Sequence, residues 1–136
     1  MFQREVALRI VGRTASADDG RLSVLAQWRS RPELLFDIDR RAFTPPPKVT
    51  SSLVRIAPAK APDGVSPKGI ERLTAAAFGQ RRKMLRSSLR TLLGGDPSPL
   101  LARIGIAPTD RAEDVPVEGY IRLAREIGER DPRAAI

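Results

Sequence analysis

The chain has no cysteine and no histidine among its 136 residues. Without cysteine, disulfides and thiolate metal sites are excluded. Without histidine, the commonest general base and the commonest metal ligand are both missing, so no Ser-His-Asp or Cys-His catalytic constellation can form. A G-x-G-x-x-G phosphate loop is also absent, and Gly94-Gly95 is expected to end a helix instead of opening one. Any catalysis must therefore depend on carboxylates, on a bound cofactor, or on another polypeptide segment.

The sequence also lacks an apolar run long enough to span a bilayer, and its first five residues do not have the order of a signal peptide. We therefore expect a cytoplasmic protein without a membrane partner or a metal. Positive charge is what the chain has in excess, since 24 Lys and Arg against 16 Asp and Glu give a formal net charge of +8. Such a charge favours polyanionic partners, and nucleic acid before an anionic membrane surface.

Hydrophobic periodicity predicts an α+β chain in two parts. The first part is expected to contain a helix in the second half of 1–11, a loop at 14–20, and strands at 21–29, 33–38 and 51–57, the last two antiparallel. Beyond the linker, helices are expected at 67–79 after an N-cap at Ser66, at 80–93, and around 99–104 and 117–130. The predicted domains are residues 1–58, a linker at 59–65, and an all-helical domain at 66–136.

The run from Phe43 to Ser51 is the most informative segment. It places one aromatic ring beside three consecutive prolines, which fix their own φ angles and push the preceding residues toward extended geometry. A ring held on so stiff a turn loses little entropy when it stacks on a nucleobase. The alternative is a rigid strand connection whose Phe43 packs into the core, and the residues alone leave both interpretations open.

A basic segment follows the first helix of the second part. Three arginines recur there at four-residue spacing, so one face of the predicted helix 80–93 would carry them. A polyanion that neutralised this face would account for the repulsion among them, whereas an ordinary solvated surface is the competing interpretation. The segment's cations are Arg81, Arg82, Lys83, Arg86 and Arg90.

Several blocks, in order, resemble the C-terminal part of the ribosomal RNA small-subunit adenine dimethyltransferases, the kasugamycin-sensitivity 16S rRNA methyltransferases. The proline and Q-R-R-K blocks are specific in combination. The matching blocks are Gln3 to Ala7, Gly20 to Gln27, Phe43 to Val49 with Ser51, Ala76 to Lys83 with Leu85-Arg86, and Arg111 to Glu113 with Tyr120 to Ala124.

The resemblance implies a C-terminal fragment of a Rossmann-like methyltransferase sheet, with about three strands, followed by a small all-helical domain. It implies methyl transfer from S-adenosylmethionine to two adjacent adenosines near the 3′ end of 16S rRNA, with the small ribosomal subunit as partner. In this family Phe43 would stack on the target adenine, and Pro45, Pro46, Pro47 and Lys48 would support it. The basic segment, from Arg81 to Arg90, would face rRNA.

The chain departs from the family pattern in what it omits. The cofactor-binding motif and the catalytic N-L-P-Y motif would lie before Met1, so no catalytic set is complete and the isolated chain is expected to be inactive. Thr50 stands where the family usually has Asp, and Ser87 where it has Asn. Two alternatives remain: a non-catalytic RNA-binding or small-subunit assembly module, and a helical DNA-binding protein of the same superfamily.

Overall fold

The computed structural model describes residues 1–13 and 20–130, and the predicted loop at 14–20 lies almost entirely outside them. Within those residues the chain is α+β, with one three-stranded antiparallel sheet and several helices. The strands are β1 (Phe2–Gln3), β2 (Ser30–Ile38) and β3 (Ser51–Pro58). The helices are α1 (Arg4–Ile10), α2 (Arg21–Gln27), α3 (Pro67–Gly79), α4 (Leu85–Ser88), α5 (Arg90–Leu93), α6 (Ser98–Arg103) and α7 (Val117–Arg130).

The sheet has the strand order β1-β3-β2, and β3 pairs antiparallel with both neighbours. The predicted antiparallel pairing of the strands around the proline run is therefore confirmed. The β2–β3 ladder runs from Ser30 opposite Pro58 to Ile38 opposite Ser51, with a register shift between Leu34 and Phe36. Strand β2 passes through Pro32, where the sequence pattern predicted an interruption, because an edge strand tolerates a residue without an amide hydrogen.

The prediction of a strand at 21–29 is wrong, because this segment forms helix α2. Its apparent alternation came from four apolar residues at every second position. The apolar residues that become buried are instead Val24 and Trp28, which are four apart and share one helical face. Both belong to the hydrophobic core that also holds Ile70 and Leu73 of α3. The sequence of 21–29 fits both strand alternation and helical spacing, and packing against α3 therefore selects the helix.

The hydrophobic core lies among the helices. Tyr120 of α7 is fully buried, donates its hydroxyl to the carbonyl of Ala112 at 2.6 Å, and stacks on Phe78 with ring centroids 5.7 Å apart. The largest fully buried side chains of the hydrophobic core include Ile70, Leu73, Leu85, Leu89, Leu101, Tyr120 and Leu123. Because α2 contributes Val24 and Trp28 to this core, helical packing extends across the predicted linker. The division into 1–58, 59–65 and 66–136 remains a prediction.

The single helix predicted at 80–93 is also wrong. Residues 80–83 form turns and a bend, Met84 bridges Arg111, and the two short helices α4 and α5 follow. The amides of Leu85 and Arg86 donate to the carbonyls of Asp110 (2.7 Å) and Pro108 (3.2 Å) instead of to the preceding helical turn. Arg82 therefore precedes the helices and does not share one helical face with Arg86 and Arg90.

Helix ends were predicted more accurately than helix continuity. Ser66 caps α3 by accepting a hydrogen bond from the amide of Gly69 at 2.9 Å, with Pro67 as the first helical residue. Helix α3 ends at Gly79 as predicted. Gly94 ends α5 with a φ of 70°, a left-handed conformation that favours glycine.

Candidate nucleic-acid interface

The segment between β2 and β3, residues 39–50, is called the proline loop. It begins with a 3-10 turn over Arg40–Ala42, which Asp39 caps by accepting a hydrogen bond from the amide of Arg41 at 2.8 Å. The amide of Phe43 closes the turn by donating to the carbonyl of Arg40 at 3.3 Å. Arg40 and Phe43 are therefore the two ends of one hydrogen-bonded turn, which fixes where the aromatic ring leaves the backbone.

Phe43 is half-buried and is not a member of the helical core. The ring is therefore partly buried outside the helical core. Pro45 and Pro46 are exposed, Pro47 is half-buried, and Lys48 is exposed. The ring keeps an accessible surface on a loop whose backbone freedom the prolines restrict.

Hydrogen bonds tie together the strand ends that flank the proline loop. Asp37, near the end of β2, accepts a hydrogen bond from the hydroxyl of Ser52 at 2.6 Å and from the Nε of Arg4 at 3.1 Å. These two donors, Ser52 first, hold the pKa of Asp37 below its ordinary value. The amide of Arg4 also donates to the carbonyl of Thr50 at 2.9 Å. The strand ends on either side of the loop are thus tied together, and Thr50, the last loop residue, is tied to α1 through its backbone carbonyl.

An open depression of about 590 Å³ lies beside the loop, lined by Asp37, Asp39, Arg40, Arg41 and Thr50. Its two carboxylates already have cationic partners, because Arg4 pairs with Asp37 at 3.1 Å and Arg41 pairs with Asp39 at 3.0 Å. The guanidinium of Arg40 has no hydrogen-bonded or ion-paired partner among the described residues. The depression therefore retains the charge of Arg40, which also helps to lower the pKa of Asp39 without forming an ion pair with it.

Sequence reasoning did not single out Arg40 as a candidate binding residue. The signal was present, because Asp39 stands two residues before Arg41, the spacing of a carboxylate that caps a turn. Once Arg41 is assigned to that carboxylate, Arg40 is the neighbouring cation left over. The pKa of Asp39 is also held low, chiefly by the Arg41 hydrogen bonds. Asp39 therefore serves as the cap of the 3-10 turn.

The second candidate surface comprises residues 80–90, which include α4 and the first residue of α5. It is called the basic loop. Arg81 donates through Nε and Nη2 to a carboxylate oxygen of Glu113, at 3.3 and 3.2 Å, so part of its charge is neutralised within the protein. The remaining predicted cations are exposed, and the described residues offer them no hydrogen-bonded or ion-paired carboxylate. These are Arg82, Lys83, Arg86 and Arg90.

One carboxylate, that of Asp96, lies near enough to Arg90 and Arg86 to interact with their positive charges. Asp96 accepts hydrogen bonds from the amide and the hydroxyl of Ser98 at 3.0 and 2.7 Å. Those bonds, with smaller contributions from the charges of Arg90 and Arg86, hold the pKa of Asp96 below its ordinary value. The two candidate surfaces belong to different elements, because the proline loop joins two strands whereas the basic loop follows α3.

In the described part of the chain, no group of acidic side chains is arranged to bind a metal. No helix among the described residues is long and apolar enough to cross a membrane. The described residues also do not fit an S-adenosylmethionine site of the dinucleotide-binding kind. Such a site needs a glycine-rich turn between a parallel strand and a helix, and every strand pair described is antiparallel.

Comparison with known families gives a match over residues 1–129, to the model described as ribosomal RNA adenine dimethylase. The ribosomal RNA small subunit methyltransferase A of Rhodopseudomonas palustris is 55% identical over 127 residues, which is 93% of this chain and 44% of that protein. The protein of the same name from a Bradyrhizobium species has the same identity and coverage. The chain therefore spans less than half the length of the curated relatives that it matches.

Two solved structures share the fold. A dimethyladenosine transferase from Plasmodium falciparum superposes with a TM-score of 0.80 at 19% identity, covering 95% of this chain and 56% of that one. The 23S rRNA methyltransferase ErmE superposes with a TM-score of 0.61 at 24% identity, covering 92% of this chain and 52% of that one. At these identities the two structures show a common backbone arrangement, while the family comes from the sequence matches.

Proposed function

Because this chain belongs to the ribosomal RNA adenine dimethylase family, we propose that it is the RNA-facing portion of an S-adenosylmethionine-dependent 16S rRNA adenine N6,N6-dimethyltransferase. The whole enzyme would modify two adjacent adenosines near the 3′ end of 16S rRNA, on the small ribosomal subunit in the cytoplasm. The names of the relatives from Rhodopseudomonas palustris and Bradyrhizobium support this reaction class.

The observation that carries the proposal is the half-buried ring of Phe43 on a loop whose flanking strand ends are hydrogen-bonded to each other and to Arg4 of α1. An aromatic face that is already positioned loses little freedom on binding, and stacking on a base contributes about 1–3 kcal/mol. In our proposal Phe43 stacks on the target adenine. Pro45, Pro46, Pro47 and Lys48 form the loop that supports it.

Arg40, at the start of the turn that ends at Phe43, would add an electrostatic contact. In the depression Asp37 forms an ion pair with Arg4, and Asp39 forms one with Arg41, so the guanidinium of Arg40 has no ion-paired carboxylate there. A phosphate adjoining the stacked adenine is the group that such a cation would attract. Stacking and phosphate contact would then act on the same nucleotide.

The basic loop supplies the second RNA contact in this proposal. Arg82, Lys83, Arg86 and Arg90 expose positive charge that the described carboxylates do not neutralise by ion pairing. Each phosphate that they contact releases counterions, so binding should weaken as the salt concentration rises. Arg81 contributes less, because Glu113 already pairs with it.

The methyl donor belongs to other residues of the enzyme, because the described part of this chain does not fit its binding site. The cofactor would supply the methyl group, and this chain would bind and orient the RNA. We therefore expect the chain alone to leave 16S rRNA unmethylated when it is incubated with small subunits and labelled S-adenosylmethionine. Incorporation of label would contradict that expectation.

A competition experiment tests the proposal directly. The methyltransferase from Rhodopseudomonas palustris, which is 55% identical over the matched region, is assayed on unmethylated small subunits with an excess of this chain. Competition for one rRNA site should lower methylation in proportion to the chain added, and a Phe43→Ala chain should compete less well. Undiminished methylation at saturating chain would overturn the proposal.

A non-catalytic RNA-binding or assembly module is the second candidate, because the described residues include candidate RNA contacts but do not fit a cofactor site. The unmatched remainder of the Rhodopseudomonas palustris relative distinguishes the two. Added as a separate polypeptide, it should restore methylation together with this chain if the chain is part of the enzyme. Binding to small subunits without restored methylation would favour the module.

A further inference from the structure

One face of the sheet is apolar along its whole length. Cross-strand partners lie on the same face of a sheet, and so does every second residue of a strand. The other face carries Arg31, Glu33 and Arg55 at the neighbouring positions, and all three are exposed. An antiparallel sheet with this distribution commonly packs its apolar face on a core and leaves its charged face in water. The register places on the apolar face Phe2, Pro32, Leu34, Ser52, Val54 and Ile56.

In this chain the apolar face is not packed. None of the apolar side chains of β2 and β3, strands that the structure describes throughout, is fully buried. Ile56 lies on the central strand and is 48% exposed, and Phe2 is 36% exposed. Apart from Leu22 and Met84, all the large apolar side chains that the described residues expose lie on the strands, directly before β1 or in the proline loop. Exposure of apolar surface is therefore concentrated on the sheet, and such a concentration marks an interaction surface.

The backbone beside this face indicates what kind of partner fits. Strand β1 has two residues, and β3 is its only strand neighbour in the described part of the chain. The outer edge of β1 can therefore pair with a strand of another polypeptide. A second copy of this chain would bring a further formal charge of +8 against an equally charged molecule, which disfavours self-association.

The relatives contain a polypeptide long enough to cover the face. The chain matches 44% of the methyltransferase from Rhodopseudomonas palustris, and the same share of the protein from a Bradyrhizobium species. In both relatives the matched region is thus joined to a remainder longer than itself. A remainder of that length can supply the elements that bury one face of a three-stranded sheet.

We propose that the apolar sheet face formed by Phe2, Leu34, Val54 and Ile56 is a docking surface for the remainder of the methyltransferase, the polypeptide that the relatives contain beyond the matched region. This inference rests on the proposed function, because it takes the chain as one portion of that enzyme. It assigns a protein partner to the sheet face, while RNA is assigned to the proline loop and the basic loop. Docking would remove these side chains from water, which is the driving force for association.

The test is co-expression of the tagged chain with the unmatched remainder of the Rhodopseudomonas palustris methyltransferase, followed by capture through the tag and gel filtration. The test variant combines Val54→Thr with Ile56→Thr, which keeps β-branched side chains on the strand and removes apolar surface. The matched control is Leu22→Gln on α2, whose side chain is 41% exposed and lies on a helix instead of the sheet. We expect the parent chain to recover the remainder in a stable complex. The double variant should recover about tenfold less, and Leu22→Gln should match the parent.

The melting temperature of each chain alone controls for folding. Neither Val54 nor Ile56 is fully buried in the chain alone, so the double variant should melt close to the parent. Should it melt much lower, Ile56→Thr by itself, at the exposed position, takes its place.

Undiminished recovery by the double variant, an equal loss in Leu22→Gln, or no complex with the parent would overturn the docking surface. A dimer of the chain that the double variant dissociates, with no remainder bound, would assign the face to a second copy instead. Binding of a 16S rRNA fragment by the parent is measured in parallel. Its absence would overturn the proposed RNA surface, whereas RNA binding without docking would overturn the sheet interface alone.

Discussion

The guanidinium of Arg81 lies 3.2 Å from the carboxylate of Glu113, so one of the five cations expected to face RNA is paired within the protein. This ion pair connects the basic loop to the 3-10 turn over Ala112–Asp114. The backbone adds a second connection nearby, where Met84 bridges Arg111. The basic loop is therefore held against the segment before α7 by both charge and hydrogen bonding.

Substituting Glu113 by Gln should increase RNA affinity, because it removes the carboxylate that offsets Arg81. Both side chains are partly exposed, so the cost to stability should stay below about 1 kcal/mol. Binding of a single-stranded 16S rRNA fragment, measured against salt concentration, checks this. Glu126→Gln is the control, since Glu126 pairs with Arg103 away from the basic loop. Equal gains in the two variants would show that overall charge, and not Arg81, is responsible.

Arg82→Gln should weaken RNA binding and flatten its dependence on salt. Arg82 is exposed and has no ion-paired partner among the described residues, so we expect it to contact an RNA phosphate. Losing one contact to single-stranded RNA should lower the slope of log K against log salt by about 0.7. Arg9→Gln, which removes an arginine paired with Glu5 on α1, should change the slope much less. An unchanged slope in Arg82→Gln would contradict the assignment.

Local signals in the sequence predicted the ends of elements, and tertiary contacts decided the rest. Ser66 capped α3 and Gly94 ended α5 as expected, because caps depend on a few adjacent residues. The strand expected at 21–29 became a helix, because burial of Val24 and Trp28 against α3 outweighed a weak alternation. The packing surface on α3 lies about forty residues further along the chain, so a pattern within residues 21–29 cannot reveal it.

The candidate site shows the same division. Phe43 and the prolines could be singled out from the sequence, since their stiffness is a property of adjacent residues. The pairing of Arg81 with Glu113 could not, because 32 positions separate them.

Acid should weaken the hydrogen bonds through which Asp37 ties the strand ends beside the proline loop. Its pKa in the folded chain lies below the ordinary 3.8, because Ser52 and Arg4 donate to the carboxylate. The stabilising contribution is therefore complete above the ordinary pKa and is lost as the pH falls through the lowered one. Asp37→Asn should reduce the fall in urea midpoint between about pH 5 and about pH 2. Asp63→Asn, in the linker, is the control and should leave that fall nearly intact.

Gly119 of α7 should not tolerate alanine. A Cβ built there lies 2.6 Å from the Cγ1 of Val115, and Val115 is buried with little room to move. We expect Gly119→Ala to destabilise the chain by about 1–3 kcal/mol, measured by urea unfolding. The double variant with Val115→Ala should lose less than the sum of the two single variants. Gly79→Ala, with open space around it, should be neutral or stabilising.

Phe43→Ala should reduce RNA binding by the equivalent of about 1–3 kcal/mol, because a prepositioned ring would no longer stack on a base. Phe43→Trp should retain most of the affinity, since stacking needs an aromatic face and not a particular ring. Phe36→Ala is the matched control, because Phe36 lies on β2 with its side chain mostly exposed and outside the proline loop. Anisotropy titrations with an adenine-containing RNA and with its abasic counterpart separate stacking from charge. If the alanine variant lost equal affinity for both RNAs, or if Phe36→Ala matched it, Phe43 would be acting through the fold of the loop and not through the base.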